Sequence, residues 1–306
     1  MTNAIDRLSD DEIQFFHKNG FAGPFQLCSP EEMAGYRPEF YNNVLGQVSP
    51  LYGFETVRDW HLCSPTIYKL VTHPAIANRL TQLLGPDILI WRSDLFPKPP
   101  GAPETVWHQA NLFKEFVDVA ILDAPDANDL FQLTVWIAID DSMIENGCMQ
   151  FLPGTHKVKL GDLVDKYGNV LEGGGKEDID QAPPKDAFGH KKEGFFGYGV
   201  DLKTTIDPDK VVNCPCKAGE FFIFTQRTLH ASLPNVSDKP RLGLNFRAIK
   251  TDVKAYSHYL TDAKIEHYGK VFSLEKWGCV LLTGEDNFHY NKMADLSLLK
   301  PELQPA

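Results

Sequence analysis

Short segments rich in β-branched and aromatic residues organise the chain from residue 87 onwards. They are DILIWRSDLF, FQLTVWIAID, GCMQFLPGT, GEFFIF and RLGLNFRAI, and Pro, Gly, Asn and Asp separate them. Short strands with long irregular connections are typical of a double-sheet jelly roll. We therefore predict a mainly β fold with flanking helices, a double-stranded β-helix of the jelly-roll, cupin-like type.

The first third of the chain carries helix signals instead. Ser9 and Glu12 have the spacing of a capping box, and Gly20 supplies a left-handed stop for the helix that they begin. The start signal recurs at 29–32, where a serine precedes Pro-Glu-Glu and an apolar stripe follows. A further helix is predicted over 74–84. We expect a helical N-terminal third that packs against the β segments.

The domain organisation follows from length and composition. The 306 residues are enough for one large domain with a buried core. The stretch from about 161 to 215 is polar and contains the run Gly173-Gly174-Gly175, so we predict a long insertion that covers the mouth of the barrel. Because no repeat, low-complexity tract or linker divides the sequence, we predict a single jelly-roll domain over 1–306.

Charge and hydropathy argue against several classes of function. The formal net charge of −11 disfavours a nucleic-acid partner, because phosphate binding needs clustered Lys and Arg. No apolar run reaches the roughly 18 residues that span a bilayer. The first residues, MTNAIDRLSDDEI, lack the apolar core of a signal peptide, so we expect a cytoplasmic protein. The oligomeric state stays open.

Two histidines and an arginine occur in the order that a jelly-roll metal site requires. His108 lies beyond the first predicted strand, His230 follows GEFFIF, and Arg241 falls on the strand after it. Iron(II) oxygenases usually hold their metal with two histidines and one carboxylate, the latter two positions after the first histidine. Ala110 stands at that place here. The pattern alone is weak, since His73 begins a similar triplet at a predicted helix start, where a capping or packing role is expected.

The joint pattern predicts that His108 and His230 ligate a metal ion. The guanidinium fork of Arg241 is then expected to hold a carboxylate by two charge-assisted hydrogen bonds. The alternative is a pair of buried structural histidines with no metal between them.

Eight segments spread over nearly the whole chain strengthen this hypothesis. They are HKNGFAGPF, SPEEM, ILIWRSDLFPKPPG, WHQA, TVWIAIDDSMIENGCMQFLPGTH, GFFGYG, KAGEFFIFTQRTLHAS and RLGLNFRAI. Together they resemble the non-heme iron(II)/2-oxoglutarate-dependent aliphatic halogenases of the syringomycin-chlorinase type, within the phytanoyl-CoA dioxygenase-like superfamily. In that family an alanine or a glycine replaces the metal-binding carboxylate, as Ala110 does here.

The resemblance implies a use for the missing carboxylate. Its removal opens one coordination position on the iron and takes away one negative charge, and a chloride ion restores both. An aspartate at Ala110 would fill that position, whereas the alanine methyl leaves it open. The implied cofactors are Fe(II), 2-oxoglutarate, chloride and dioxygen. The implied reaction couples oxidative decarboxylation of 2-oxoglutarate to chlorination of an unactivated aliphatic carbon.

Further site residues are carried over by position from the same resemblance. The residues that match contacts of 2-oxoglutarate are Arg241, Thr105 and Trp136. The residues that match the chloride pocket are Arg247 (through a water molecule), Phe113 and Thr134. The residues that match the substrate-side wall are Phe195 or Phe196. For each aromatic residue, ordinary core packing is the alternative.

The resemblance also implies a substrate and a partner. The expected substrate is an amino acid with a small hydrophobic side chain, such as 2-aminobutyrate, valine or leucine. It would be tethered to the phosphopantetheine arm of a peptidyl carrier protein in nonribosomal, natural-product biosynthesis. A free amino acid or another small metabolite is the alternative.

One position departs from the family pattern. Glu115 stands where the family carries an asparagine near the halide, and a carboxylate there would repel bound chloride unless it is protonated, paired or turned away. Two alternatives to a halogenase therefore stay open. One is a 2-oxoglutarate-dependent hydroxylase that recruits Glu115 or another carboxylate as third ligand. The other is a non-catalytic jelly-roll binding protein.

Overall fold

The computed structural model of the chain describes most of its residues. It covers 6–109, 121–126, 129–158, 170–171, 201–202, 206–256, 264–267 and 270–299, with the backbone alone for 106, 170–171, 201–202, 264–267 and 270. The predicted site residues Ala110, Phe113, Glu115, Phe195 and Phe196 lie outside the described residues.

The described part of the first third of the chain contains four α-helices. They are α1 (Asp10–Asn19), α2 (Pro30–Pro38), α3 (Pro65–Val71) and α4 (Pro74–Leu84), of which all but α3 were predicted. The capping box of Ser9 and Glu12 is confirmed, and Gly20 ends α1 with φ 85°. His73 caps α4 by accepting a hydrogen bond from the Ala75 amide at 3.1 Å, which confirms its structural role. Beyond α2, a π-helical turn spans Glu39–Val44, and a short 3₁₀ turn spans Trp60–Leu62.

The N-terminal third also contains a strand that the helical prediction missed, β1 (Phe21–Gln26). It pairs antiparallel with the strand over Glu220–Thr225 and forms one edge of the larger sheet. Pro24 breaks the alternation that would have indicated a strand, but an edge strand tolerates a proline because one of its sides needs no amide donor.

Two antiparallel sheets form the jelly roll. The major sheet has six strands in the order β1-β10-β5-β12-β2-β16, and the minor sheet has four in the order β3-β11-β6-β9. The strands of the major sheet beyond β1 are β2 (Ile88–Lys98), β5 (Gln132–Ala138), β10 (Glu220–Thr225), β12 (Arg241–Lys250) and β16 (Val280–Thr283). Those of the minor sheet are β3 (Thr105–His108), β6 (Met149–Phe151), β9 (Val212–Cys214) and β11 (His230–Ser232).

Three two-stranded pairs complete the described strands. They are β4 (Leu122–Asp123) with β13 (Lys254–Ala255), β7 (Val170–Leu171) with β8 (Asp201–Leu202), and β14 (Lys264–His267) with β15 (Lys270–Ser273). Strand β9 lies inside the insertion predicted over 161–215 and pairs with β6, so the smaller sheet resumes before that range ends. Most of the rest of this range lies outside the described residues.

The two faces of the major sheet have different surroundings. On one face, alternate residues such as Leu242, Leu244 and Phe246 join the main apolar core, which the helices cover. On the other face, Trp136 and Phe224 pack with aromatic and thiol side chains of the minor sheet. The functional residues predicted from β5 and β12 lie on this second, interior face, because residues two apart on a strand share a face. No helix among the described residues is long and apolar enough to cross a membrane.

Candidate active site

The structure brings the two predicted ligands together between strands of the minor sheet. His108 ends β3 and His230 begins β11, and the two are direct partners in the antiparallel register. Their ring centroids lie 4.2 Å apart with the ring planes tilted by 54°, and both side chains are buried. The chain thus places two imidazoles at the spacing needed to share one ion.

The environment of His230 prepares it to ligate a cation. Its Nδ1 lies 2.8 Å from the Thr228 carbonyl oxygen. A carbonyl only accepts, so Nδ1 carries the proton and Nε2 keeps its lone pair. Burial, together with the neighbouring His108 and Arg247, lowers the pKa of His230 well below 6.5, so the ring is neutral at neutral pH. A neutral imidazole oriented through its other nitrogen by a carbonyl is the usual form of a histidine that binds a metal.

The described part of the chain supplies two such ligands and no larger cluster. Within the described ranges, no group of three or more His, Cys, Asp or Glu is placed to hold a metal. A pair of buried imidazoles fits Fe(II), which accepts nitrogen and oxygen ligands and needs further donors to complete its coordination.

Neighbouring side chains fix the histidine pair in place. The rings of Phe224 and Phe151 lie 4.8 Å and 6.4 Å from the His230 ring, centroid to centroid. Gln109, which directly follows the first histidine, donates from Nε2 to the Arg227 carbonyl at 2.6 Å. This bond ties the end of β3 to the turn before β11. Gln109 was not predicted as a site residue, although its place in the WHQA segment was a usable signal.

Arg241 begins β12 and lies buried on the interior face. Its Nη2 donates to the Gly147 carbonyl at 2.6 Å, its Cζ lies 5.4 Å from the Trp136 ring, and its Nε has no partner among the described residues. Burial lowers the pKa of Arg241 to about 10, so the group keeps its charge at neutral pH. A buried guanidinium with an unused N–H fits a carboxylate ligand.

A glycine makes room for the indole beside that arginine. A Cβ at Gly243 would collide with the Trp136 ring. The two residues lie on neighbouring strands, β12 and β5, and the indole lies across the glycine on the interior face. Gly243 is therefore a functional position that the sequence analysis missed. No local signal marks it, because the conflict appears only when the strands are paired.

Lys98 is a second cation at the same end of the site. It is the register partner of Arg241 across β2 and β12, and its Nζ donates to the carbonyls of Pro103 and Leu233 at 2.6 Å and 2.7 Å. Burial, and then the charge of Arg241, lower the pKa of Lys98 to about 7. Two neighbouring buried cations repel each other until an anion joins them, so this end of the site fits a carboxylate such as the distal one of 2-oxoglutarate.

Thr105 approaches from the opposite sheet. Its Oγ1 accepts a hydrogen bond from the Ser232 hydroxyl at 2.9 Å, across the pairing of β3 and β11. The structure therefore places Thr105 on the same strand as His108, three residues before it.

Arg247 and Thr134 are register partners on the interior face of β12 and β5. Both side chains are buried, and Nε and Nη1 of Arg247 and Oγ1 of Thr134 have no partner among the described residues. Burial, and then the charge of Arg92, lower the pKa of Arg247 to about 10. The neighbouring carboxylate, Asp94, is already engaged by Arg92 at 2.7 Å. This arrangement leaves buried hydrogen-bond donors for an anion.

Comparisons with known proteins define the class. The family model "Phytanoyl-CoA dioxygenase (PhyH)" matches residues 16–243, about three quarters of the chain, so the chain belongs to that family. Ectoine dioxygenase of Bordetella parapertussis is 24% identical over 252 residues, covering 77% of this chain and 73% of the relative. A probable alpha-ketoglutarate-dependent hypophosphite dioxygenase of Stutzerimonas stutzeri is 35% identical over 184 residues, covering 59% of this chain and 52% of the relative.

Solved structures agree with this assignment. The structure titled "CytC3 with Fe(II) and alpha-ketoglutarate" superposes with a TM-score of 0.69 at 26% identity, covering 94% of each chain. The epimerase SnoN from nogalamycin biosynthesis superposes with a TM-score of 0.54 at 19% identity, over 80% of this chain and 84% of that one, and shares the fold.

These findings confirm the predicted double-stranded β-helix. They also identify the chain as an enzyme of the Fe(II)/2-oxoglutarate-dependent oxygenase superfamily, with Fe(II) and 2-oxoglutarate as its cofactors.

Proposed function

We propose that this enzyme chlorinates an unactivated aliphatic carbon, using Fe(II), 2-oxoglutarate, dioxygen and chloride. One observation carries the proposal. His108 and His230 form a buried pair, His230 is neutral, and Ala110 stands two positions after His108, where the usual third ligand would be a carboxylate. A chloride ion that takes this ligand position would supply the missing charge and be placed for transfer to carbon.

The described side chains have assignable roles in this reaction. His108 and His230 would hold the iron, while Arg241 and Lys98 would bind the distal carboxylate of 2-oxoglutarate, with Trp136 against the guanidinium. When bound, the iron and its cosubstrate supply the dioxygen activation that removes a hydrogen atom from an aliphatic carbon and allows chlorine to be attached there.

Arg247 and Thr134 support the proposed chloride position. A buried cation without a partner is unfavourable unless an anion approaches it, and two nitrogens of Arg247 have no partner within the described part of the chain. It lies close enough to the histidine pair to contribute to the lowered pKa of His230. Chloride beside the iron, reached through a water molecule, would interact favourably with this charge. Phe113, Phe195 and Phe196 stay predictions for the pocket walls.

Aromatic side chains control access to the reacting atoms. Phe224 and Phe151 pack against His230, and Trp136 closes the interior face toward Arg241. In the proposed reaction, these walls would exclude water from one side of the site. Whether chlorine or hydroxyl reaches the carbon depends on where the substrate is held, and a displacement of about 1 Å is enough to change reactivity strongly.

The proposed substrate is an amino acid with a small hydrophobic side chain, carried by a peptidyl carrier protein or free. The family resemblance favours the carrier-bound form. The names of two curated relatives, an ectoine dioxygenase and a probable hypophosphite dioxygenase, point to small free molecules.

Hydroxylation is the second candidate. The carboxylate of Glu115, seven positions after His108 in the sequence, favours it, and so do the curated relatives that are named dioxygenases. If Glu115 served as third ligand, chloride would have no position on the iron.

Anaerobic spectroscopy separates the candidates. Fe(II) and 2-oxoglutarate are added to the protein with and without chloride, and the visible charge-transfer band is recorded. A halogenase gives a band that changes with chloride, and a hydroxylase gives one that does not. The absence of any band would favour a non-catalytic binding protein over both enzymes.

A further inference from the structure

A row of buried polar atoms on the interior face extends beyond the proposed chloride position. Gln132, Thr134 and Arg247 are buried on β5 and β12, and Gln132 Nε2, Thr134 Oγ1 and Arg247 Nε and Nη1 have no partner among the described residues. Buried polar groups are normally hydrogen-bonded, so a concentration of unused ones marks a place where a ligand binds.

The orientation of the Gln132 amide is fixed by its neighbour. Its Oε1 accepts a hydrogen bond from Trp91 Nε1 at 3.1 Å. An indole nitrogen can only donate, so the oxygen must face Trp91 and the NH₂ group must point elsewhere. The NH₂ group of Gln132 is therefore a hydrogen-bond donor, as is the guanidinium group of Arg247, and a ligand that binds both must carry an acceptor.

The charges around Arg247 leave it without a carboxylate of its own. Asp94 is engaged by Arg92, with 2.7 Å and 3.1 Å between the paired atoms. The next buried guanidinium, Arg58, is paired with Asp59 at 3.0 Å. Among the described groups of this cluster, Arg247 is the positive charge in excess.

Arg247 is too far from Arg241 for the two guanidinium groups to bind the same ligand. The two arginines are six residues apart on β12, which corresponds to about 20 Å along an extended strand. A dicarboxylate as short as 2-oxoglutarate cannot reach both. One chloride linked through water uses a single N–H, so the remaining donors of Arg247 and Gln132 are left for a second anion.

We infer that Arg247 and Gln132 bind the carboxylate of the substrate, which therefore enters as a free acid and not as a thioester on a carrier protein. This inference rests on the proposed function, because it concerns the substrate of that reaction. A thioester carries no negative charge at its carbonyl, so it would leave the remaining donors of Arg247 and Gln132 without a charged acceptor in a buried site.

Calorimetry on the anaerobic protein loaded with Fe(II), 2-oxoglutarate and chloride tests the inference. The probes are L-leucine, L-valine and L-2-aminobutyrate, each compared with its methyl ester. At least one acid is expected to bind about tenfold or more tightly than its ester. Equal binding of acid and ester, or chlorination of carrier-bound thioesters with no binding of the acids, would overturn the inference.

A near-isosteric variant separates recognition from folding. Gln132→Glu keeps the oxygen that Trp91 needs but replaces the donor by a second carboxylate oxygen, so acid binding should fall about tenfold or more while ester binding changes little. The control Gln150→Glu alters a glutamine whose amide donates to Asn213 on the minor sheet, and it should change the binding of neither the acid nor the ester. If Gln132→Glu retained full affinity for the acid, the assignment would be wrong.

The chloride-dependent band distinguishes a failure of this inference from a failure of the halogenase proposal. It requires no substrate, so it should persist in Gln132→Glu. A band that responds to chloride together with equal acid and ester binding refutes the inference and leaves the halogenase proposal standing. A band that does not change with chloride refutes the halogenase proposal, whichever form of the substrate binds.

Discussion

The two faces of the major sheet are built from the same strands but carry different kinds of side chain. Along β12, Leu242, Leu244 and Phe246 point into the helix-covered core, while Arg241 and Arg247 alternate with them on the interior face. Both faces are buried. The helix face is packed with apolar side chains. The interior face holds cations and donors for which the described ranges supply no partner, so we expect stability to depend mainly on the helix face and ligand binding on the interior face.

This contrast explains why the interior face tolerates its polar groups. Unpartnered buried donors reduce stability by about 1–3 kcal/mol each in the absence of a ligand. The apolar face opposes that loss by burying large side chains from all six strands of the major sheet and from the helices. Substitutions on the two faces should therefore separate activity from stability.

The largest expected effect concerns Ala110, at the ligand position proposed for chloride. If the proposed function is right, Ala110→Asp should lower chlorination by at least about a thousandfold, because the new carboxylate would occupy the proposed chloride position on the iron. Mass spectrometry measures the amount of chlorinated product. Ala34→Asp, on the exposed side of α2, is the control. Chlorination by Ala110→Asp at the parental rate would remove the basis of the proposed function.

The helix face should respond in stability alone. Leu244→Ala deletes a fully buried side chain and should lower the free energy of unfolding by about 3 kcal/mol. Urea titration measures the change, and the KM for 2-oxoglutarate should stay unchanged in the folded variant. Leu281→Ala, on the exposed side of β16, is the control with a small expected effect. A large rise in that KM would mean that the two faces are not independent.

The interior face should respond in ligand binding. Arg241→Met should raise the KM for 2-oxoglutarate about a hundredfold, because a charge-assisted pair with the distal carboxylate is lost. Its thermal midpoint should not fall, since the substitution also removes a buried charge. Arg7→Met, at an exposed position, serves as the comparison. An unchanged KM would place the cosubstrate elsewhere in the barrel.

The smallest expected effect is a pH dependence from Lys98. Its pKa is about 7 in the free protein, and a bound carboxylate raises it, so the protonated form binds 2-oxoglutarate more tightly. Affinity should therefore be highest below pH 7 and fall by up to about tenfold per unit as the pH rises above it. Binding titrations from pH 6 to 8 check this, and Lys98→Met should flatten the profile. Affinity that rises with pH would contradict the assignment.

Much of the fold was predictable from local patterns. The capping boxes of α1 and α2 and the left-handed Gly20 fixed helix boundaries, and the alternation in RLGLNFRAI reports the two faces of β12. Strand β1 was missed because Pro24 interrupts its pattern, and only pairing with β10 makes it a strand. Short strands of this kind depend on partners distant in the sequence.

The candidate site also has residues that could be predicted from the sequence and residues that could not. The order of His108, His230 and Arg241 was visible in the sequence, and the structure places the two histidines side by side. Lys98, Gly243 and Gln132 were not visible, because their significance depends on which residues face them across neighbouring strands. Which charges lie side by side, and which side chains would collide, depends on how strands that are distant in the sequence pair.

The most direct test of the account is an experimental structure with Fe(II), 2-oxoglutarate and bromide in place of chloride. Data collected at the bromine absorption edge should reveal a bromide ion bound to an iron that is held by His108 and His230. An oxygen of Glu115 or another side chain in that position, or no iron between the two rings, would contradict it.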